Sequence, residues 1–373
     1  MLRVTDRGLY CEAGDFHVDP WRPVPRAVVT HAHGDHLAWG CDAYLVAEPG
    51  RAVAQERLGQ YASRVEGIAY GEVRTINGVR VSLHPAGHIL GSAQVRLEHG
   101  GEVWVVSGDY KTAPDPTCAP WEPVRCDLFV TESTFGLPIY RWPDEARVVR
   151  DINAWWARNA AEGVTSLLFG YALGKAQRLI AGLDPAIGPI LLHGAVVRMT
   201  ELYREAGIAL PPTAHATAMR ESRRDAVRGA IVVAPPSAEN TTWARRFGTT
   251  SSAFASGWML VRGARRRRGV ARGFALSDHV DWPSLLSAIE ATGASRVWVT
   301  HGFTGAVVRW LGERGVDARA IPTRWEGERD DAAVMEESAR QDAAVIDEDA
   351  RHDEAVIDEA ARDDAAVIEE RDT

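Results

Sequence analysis

One short run decides most of what this chain can be: Thr30-His31-Ala32-His33-Gly34-Asp35-His36 follows directly on the apolar segment Arg26-Ala27-Val28-Val29. The pattern His-x-His-x-Asp-His sets four side chains able to bind metal within six residues, just past a β-branched strand. Imidazole and carboxylate together suit zinc and its neighbours rather than calcium or magnesium. A burst of donors at a strand end can turn some toward one ion and others toward a second, so a dinuclear hydrolase is expected. The plain alternative is a polar loop that caps and solvates, and three histidines with an aspartate at this spacing argue against it.

Six residues cannot close two coordination spheres, so further donors are expected at later strand ends. His88 lies in the turn between two alternating stretches, Val79 to Leu83 and Ala93 to Leu97. Val103-Trp104-Val105-Val106-Ser107-Gly108-Asp109 closes an apolar strand on a glycine and a carboxylate, and the two oxygens of Asp109 suit it to bridge two ions. Taken singly, each would more often be an ordinary turn residue; their order after the first cluster favours ligands instead.

Periodicity divides the chain. Short β-rich segments dominate to about residue 140, with one helix beginning near Arg51. From Pro143 the pattern changes: Glu145 to Ala161 is helical, with Val148, Ile152, Trp155 and Trp156 as its apolar stripe. Strands such as Ser166 to Phe169 and Pro189 to Leu192 then alternate with helices, which argues for a parallel sheet flanked by helices. Gly170-Tyr171-Ala172-Leu173-Gly174-Lys175-Ala176 is not a Walker loop, because the spacing between its glycines is short and no Ser or Thr follows the lysine. A strand-to-helix turn is expected there, touching nucleic-acid phosphates through Lys175.

Three further motifs carry a resemblance to a known family. Asp127 to Gly136 contains Glu132, Leu276-Ser277-Asp278-His279-Val280-Asp281 contains His279, and Val299-Thr300-His301-Gly302 contains His301. With the His-rich run, these resemble the metallo-β-lactamase superfamily and, within it, the β-CASP nucleases, over nearly all of residues 1–325. Gly8-Leu9-Tyr10-Cys11 with Gly14-Asp15-Phe16-His17-Val18-Asp19-Pro20-Trp21 is more narrowly similar to bacterial ligase-associated DNA exonucleases.

The resemblance implies an α/β fold: a metallo-β-lactamase αββα sandwich with an inserted β-CASP α/β domain. Its parts would be residues 1–142 and 273–325 for the sandwich and 143–272 for the insertion, with the site in the cleft between them. It implies two divalent metal ions, zinc first and manganese second. His31, His33 and His88 would hold one, Asp35, His36 and His301 the other, and Asp109 both. Such a pair lowers the pKa of a bridging water and neutralises phosphate oxygens during in-line attack. His279 would be the general acid, oriented by Glu132, and Asp19 would brace the ligand loop without binding metal. The other acidic and imidazole groups nearby in sequence, Asp15, His17 and His84, are expected to be structural or to support the ligands without binding metal.

The function implied is a metal-dependent DNA exonuclease in repair or end processing, acting beside a DNA ligase and a helicase. A histidine at the third motif is usual in RNA-processing β-CASP members, whereas eukaryotic DNA-repair members tend to carry valine. An RNA 3′-end processing nuclease is therefore the alternative. A catalytically silent scaffold is disfavoured because every ligand position is filled, and small-molecule hydrolysis by the inserted segment with Glu132, His279 and His301.

Composition agrees. At 373 residues and 46% hydrophobic, the chain is long enough for two ordinary cores. No apolar run approaches the roughly 20 residues of a membrane span, and Met1 to Asp6 lacks a signal-peptide core, so a cytoplasmic protein is expected. Cys11, Cys41, Cys118 and Cys126 show no C-x-x-C spacing and are read as reduced thiols.

The net charge of −9 is unevenly spread, since residues 329–373 hold 17 Asp/Glu and 5 Arg, leaving 34 acidic and 37 basic groups on a mildly basic body. Arg262, Arg265, Arg266, Arg267 and Arg268 are its densest cluster, suited to phosphate contact and to steering a polyanion, or equally to a solvated loop. The segment 326–373 repeats every eleven residues, marked by Arg329, Arg340, Arg351 and Arg362. It is expected to be disordered or a marginal acidic helix that docks on a basic partner or competes with DNA.

Overall fold

The computed structural model describes residues 1–222, 227–261 and 272–323. The cluster Arg262, Arg265, Arg266, Arg267 and Arg268 and the repeat segment 326–373 lie outside the described residues.

Six short strands open the chain: β1 Leu2–Thr5, β2 Gly8–Cys11, β3 Phe16–Val18, β4 Ala27–Val28, β5 Tyr44–Ala47 and β6 Val65–Ile68. They form one sheet in sequence order, antiparallel from β1 to β3 and parallel from β3 to β6. The expected helix near Arg51 runs from Arg51–Leu58. A second sheet then grows as an antiparallel meander, β7 Val73–Ile76, β8 Val79–Pro85, β9 Ala93–His99 and β10 Glu102–Val106, followed by β11 Leu128–Ser133, parallel to β10. Asn77-Gly78 turns the first hairpin, the residue pair that two-residue hairpin loops favour.

The chain next leaves this sheet. Asp144 caps the helix Glu145–Ala161 by accepting from Arg147 N, and Val148, Ile152, Trp155 and Trp156 are its buried residues. A third sheet follows, built from β12 Thr165–Phe169, β13 Ile190–Leu192, β14 Ala214–His215, β15 Ile231–Ala234, β16 Thr250–Ala255 and β17 Arg272–Phe274. Every pairing in it is parallel, in the order β14-β13-β15-β12-β16-β17. Its central strands are apolar at consecutive positions because both faces are covered. Leu168, Ile190, Leu192 and Val233 pack with the helices Glu145–Ala161 and Lys175–Gly182, while Leu167, Phe169, Val232 and Phe254 fill the opposite face.

After β17 the chain returns to the second sheet. β18 Arg296–Gly302 pairs parallel with β11, and β19 Asp317–Ala320 pairs with β18. Residues 128–133 and 296–302 are thus neighbours although the whole third sheet separates them in sequence.

Between the first two sheets lies a core of Val18, Val28, Leu45, Val81, Leu83, Val95, Val106 and Val130. The outer face of the first sheet packs on the helix Arg51–Leu58 through Tyr44, Val46, Val53 and Leu58. That of the second packs on the helices Trp282–Thr292 and Thr304–Gly312 through Val105, Phe129, Leu285, Ile289, Val307 and Leu311. All four cysteines are free thiols. Among the described residues no helix is long and apolar enough to cross a membrane.

Candidate metal centre

The site is assembled where strands of the first two sheets end. Asp19 follows β3 in the left-handed region, at φ 44°, and reaches across to the residues that follow β4. Its Oδ1 accepts from Thr30 N at 2.8 Å, and its Oδ2 accepts from Thr30 Oγ1 at 2.6 Å. His36 Nδ1 lies 2.7 Å from the same Oδ2. A carboxylate there fixes the tautomer of His36, with Nδ1 as donor and Nε2 directed elsewhere. That Nε2 is buried and has no hydrogen-bond partner. His31 sits between Thr30 and the ligand cluster, with Nδ1 3.1 Å from Thr30 Oγ1.

Two groups of donors converge. In the first, His33 Nδ1 stands 3.1 Å from both His31 Nε2 and His88 Nε2. Asp109 Oδ2 lies 3.6 Å from His31 Nε2 and 3.8 Å from His88 Nε2. Asp109 Oδ1 instead lies 3.5 Å from His36 Nε2, and His36, Asp109 and His301 form the second group. Asp35 Oδ2 is 3.5 Å from the same His36 nitrogen, its side chain half exposed. One carboxylate therefore divides its two oxygens between two clusters of imidazoles.

The electrostatics favour lone pairs throughout the first group and at His301 of the second. Burial, together with the imidazoles of His36, His33 and His88, pushes His31 well below the ordinary histidine range. Burial likewise pushes down His88, and it lowers His33 and His301 to about 4. Neutral imidazole is the form that ligates a metal. For His36 burial opposes charge, but the carboxylates of Asp35, Asp109 and Asp19 outweigh it and raise the group well above its usual value. With Nδ1 committed to Asp19, Nε2 makes no hydrogen bond but faces the carboxylates of Asp35 and Asp109, so a divalent cation bound among them would displace the proton that they draw in. The donor set, N and O in two buried clusters around one shared carboxylate, fits a pair of such cations.

Beside them stands a dyad. His279 Nδ1 lies 2.9 Å from Glu132 Oε1 and 3.0 Å from Oε2. Glu132, wholly buried at the end of β11, also accepts from Tyr110 N and Thr134 Oγ1. Its oxygens are thus committed, so the cluster of Asp109, Glu132 and His279 reads as an anchored imidazole rather than a third ligand set. Burial opposes charge on His279, yet Glu132 and Asp109 lift it to about 9. The His279 ring packs against His88 with centroids 4.8 Å apart, so the dyad adjoins the donors.

No family model matches the chain. It is 36% identical over 317 residues to a probable DNA ligase of Opitutus terrae, a match taking in 84% of this chain and 30% of that protein. It is 33% identical over 192 residues to endoribonuclease ysh1 of Aspergillus fumigatus, covering 45% of this chain and 22% of the relative. With cleavage and polyadenylation specificity factor 73 of Drosophila melanogaster it shares 28% identity over 187 residues, 45% of this chain and 27% of the relative. These similarities are consistent with the β-CASP branch of the metallo-β-lactamase superfamily, the family that the sequence resembles. The chain spans less than a third of the length of each of these three relatives.

The structure brings together His31, His33, His36, His88, Asp109 and His301, with Asp35 at their edge and Asp19 behind them. Lys175 does not lie where the sequence suggested. It is 3% exposed, and its Nζ sits 2.8 Å from Asp278 Oδ1, so the ammonium faces an internal carboxylate and not a phosphate. The expected strand-to-helix turn is present between β12 and the helix Lys175–Gly182. His84 pairs with Ser82 Oγ, and the His17 ring lies tilted against Tyr10, outside the donor clusters. Sequence reasoning missed Thr30, Asp278 and Arg178. Only Arg178 left a signal, three residues after Lys175 on one helix face.

Proposed function

We propose that this chain is a metal-dependent phosphodiesterase that trims DNA ends as an exonuclease. The observation carrying it is the division of Asp109 between two imidazole clusters with the His279–Glu132 dyad alongside. His31, His33, His88 and Asp109 Oδ2 would hold one divalent ion, and Asp35, His36, His301 and Asp109 Oδ1 the other. Zinc, or manganese in its place, would supply there an acidified water as nucleophile and charge neutralisation at the phosphate. With Nδ1 bound to Glu132, His279 presents Nε2 as its proton-bearing atom. That proton passes to the departing sugar oxygen as the P–O bond breaks, and Glu132 steadies the imidazolium beforehand.

The layer order supports an αββα sandwich from residues 1–142 and 273–325, interrupted by an α/β insertion at 143–272 that contributes the third sheet. DNA is favoured over RNA because the match to a probable DNA ligase runs along 84% of this chain. Work beside a ligase and a helicase, in the cytoplasm, belongs to the same proposal. RNA 3′-end processing is the second reading, favoured by His301 at the third motif and by the endoribonuclease relatives.

The test uses the full chain with its metal content measured, on end-labelled DNA and RNA of both polarities with Zn²⁺ or Mn²⁺. Stepwise mononucleotide release from DNA is expected, with about two ions per chain. A doubly loaded protein that cuts only RNA would move the assignment to the second reading, and one that cuts neither would end it.

A further inference from the structure

His33 and His88 stand on loops of the first two sheets, but the atoms that orient both rings come from much later in the chain. His33 Nε2 donates to Leu173 O at 3.2 Å, and His88 Nδ1 donates to Asp278 O at 2.9 Å. With those nitrogens committed, His33 keeps Nδ1 and His88 keeps Nε2, the two atoms that face each other in the donor cluster.

The segments that carry these two carbonyls are tied together by a buried ionic cluster. Lys175 Nζ donates to Leu276 O at 2.9 Å and lies 2.8 Å from Asp278 Oδ1. Arg178 Nη1 is 2.7 Å from the same Oδ1 and also donates to Ser277 O. On its other side, Arg178 binds Glu145 and Asp115, and Lys111 binds those two carboxylates at 3.2 and 3.3 Å. Three cations thus meet three carboxylates.

The start of this helix is also pressed onto the ligand loop. Gly174, at φ +84°, has no room for a side chain, since a Cβ there would fall 2.3 Å from Cγ2 of Ile89, the residue after His88. Buried ion pairs add little net stability compared with apolar packing of the same volume, so geometry is the better account of this one. Lys175 and Arg178 touch neither imidazole.

We infer that Lys175 and Arg178, acting through Asp278, are positioning residues for the metal centre: they hold the carbonyls of Leu173 and Asp278, and so the ring orientation and metal affinity of His33 and His88. This rests on the two-metal assignment above. Partners of ligating histidines are typically worth about 10–100-fold in affinity.

Zinc affinity is measured on the full chain by competition with a chromophoric chelator, and ligand geometry by the visible absorption of the Co²⁺-loaded protein. Lys175→Met and the double variant Lys175→Met/Asp278→Asn are compared with wild type, folding being followed by far-ultraviolet circular dichroism. The double variant removes one cation and one anion together and leaves no extra buried charge unpaired. Expected is a loss of about 10–100-fold at one of two zinc sites, a changed Co²⁺ spectrum and a native-like dichroism spectrum. Arg198→Met, which breaks a surface pair with Glu56, should leave both readouts unchanged. Wild-type affinity and spectrum in the folded variants would overturn the positioning role alone; a wild-type chain that binds no metal would overturn the two-metal assignment and this inference with it.

Discussion

Glu132 grips His279 with both carboxylate oxygens, at 2.9 and 3.0 Å from Nδ1, and so leaves Nε2 outside the pair. Removing the imidazole should matter only where a leaving group needs a proton. His279→Ala is expected to lower kcat on DNA by about 10²–10⁴-fold, yet to leave hydrolysis of bis(p-nitrophenyl) phosphate nearly intact, because nitrophenolate departs unaided. Equal losses on both substrates would remove the general-acid role.

The same pair gives a pH dependence with a definite sign. His279 is raised to about 9, so it stays protonated at neutral pH and gives up its proton as the pH climbs through that value. The stabilisation from the pair is complete below the ordinary histidine value near 6.5 and is lost on crossing about 9. DNA cleavage should therefore fall on the alkaline side, and Glu132→Gln should move that fall to lower pH. A limb that does not move in Glu132→Gln would show that some other group sets it.

Asp19 makes three contacts, two to Thr30 and one to Nδ1 of His36, and lies outside both donor groups. Its loss frees the ring of His36 and the backbone of Thr30 together. In Asp19→Ala the ion at His36 should bind about 10–100-fold more weakly while that at His31, His33 and His88 persists. Elemental analysis after dialysis should then find the stoichiometry falling from two ions toward one, and two tightly held ions in this variant would argue against the bracing role.

The donor residues were legible in the sequence because ligand chemistry is carried by side-chain identity and by position at strand ends. The helix Glu145–Ala161 was legible for a similar reason, its stripe of Val148, Ile152, Trp155 and Trp156 being a local period. What orients the donors was not. His33 and His88 are held by backbone carbonyls, which every residue carries, from segments 140 and 190 positions away. Lys175 was misread for the same cause. A lysine after a glycine-containing turn suggests phosphate, and only the folded chain shows the Leu276–Asp278 segment closing over it.

Asp109 is the hinge of both donor clusters, so the whole chain should be stabilised by metal through it. At a zinc concentration about 1,000 times the dissociation constant, a bound ion adds about 4 kcal/mol to unfolding. Chelation should therefore lower the Tm of the wild-type chain by several degrees. In Asp109→Ala the loaded and chelated proteins should melt together. A metal-dependent Tm surviving in Asp109→Ala would place the ions elsewhere.

The last donor depends on a strained crossing. His301 and Gly302 both have positive φ, 52° and 69°, where β18 passes β11. Ser133 Oγ donates to His301 O across that crossing. A Cβ on Gly302 would fall 2.4 Å from Ser133 O and 2.5 Å from Thr134 Cα, rigid backbone that cannot step aside without parting the two strands. Gly302→Ala should cost about 1–3 kcal/mol in urea unfolding and weaken the ion at His36 and His301, since the donor moves with the strand. Gly305, in the helix Thr304–Gly312, has nothing within 4 Å of where a Cβ would sit. Gly305→Ala should be neutral or stabilising by up to about 1 kcal/mol. Equal behaviour of the two variants would show that the crossing is not what places His301.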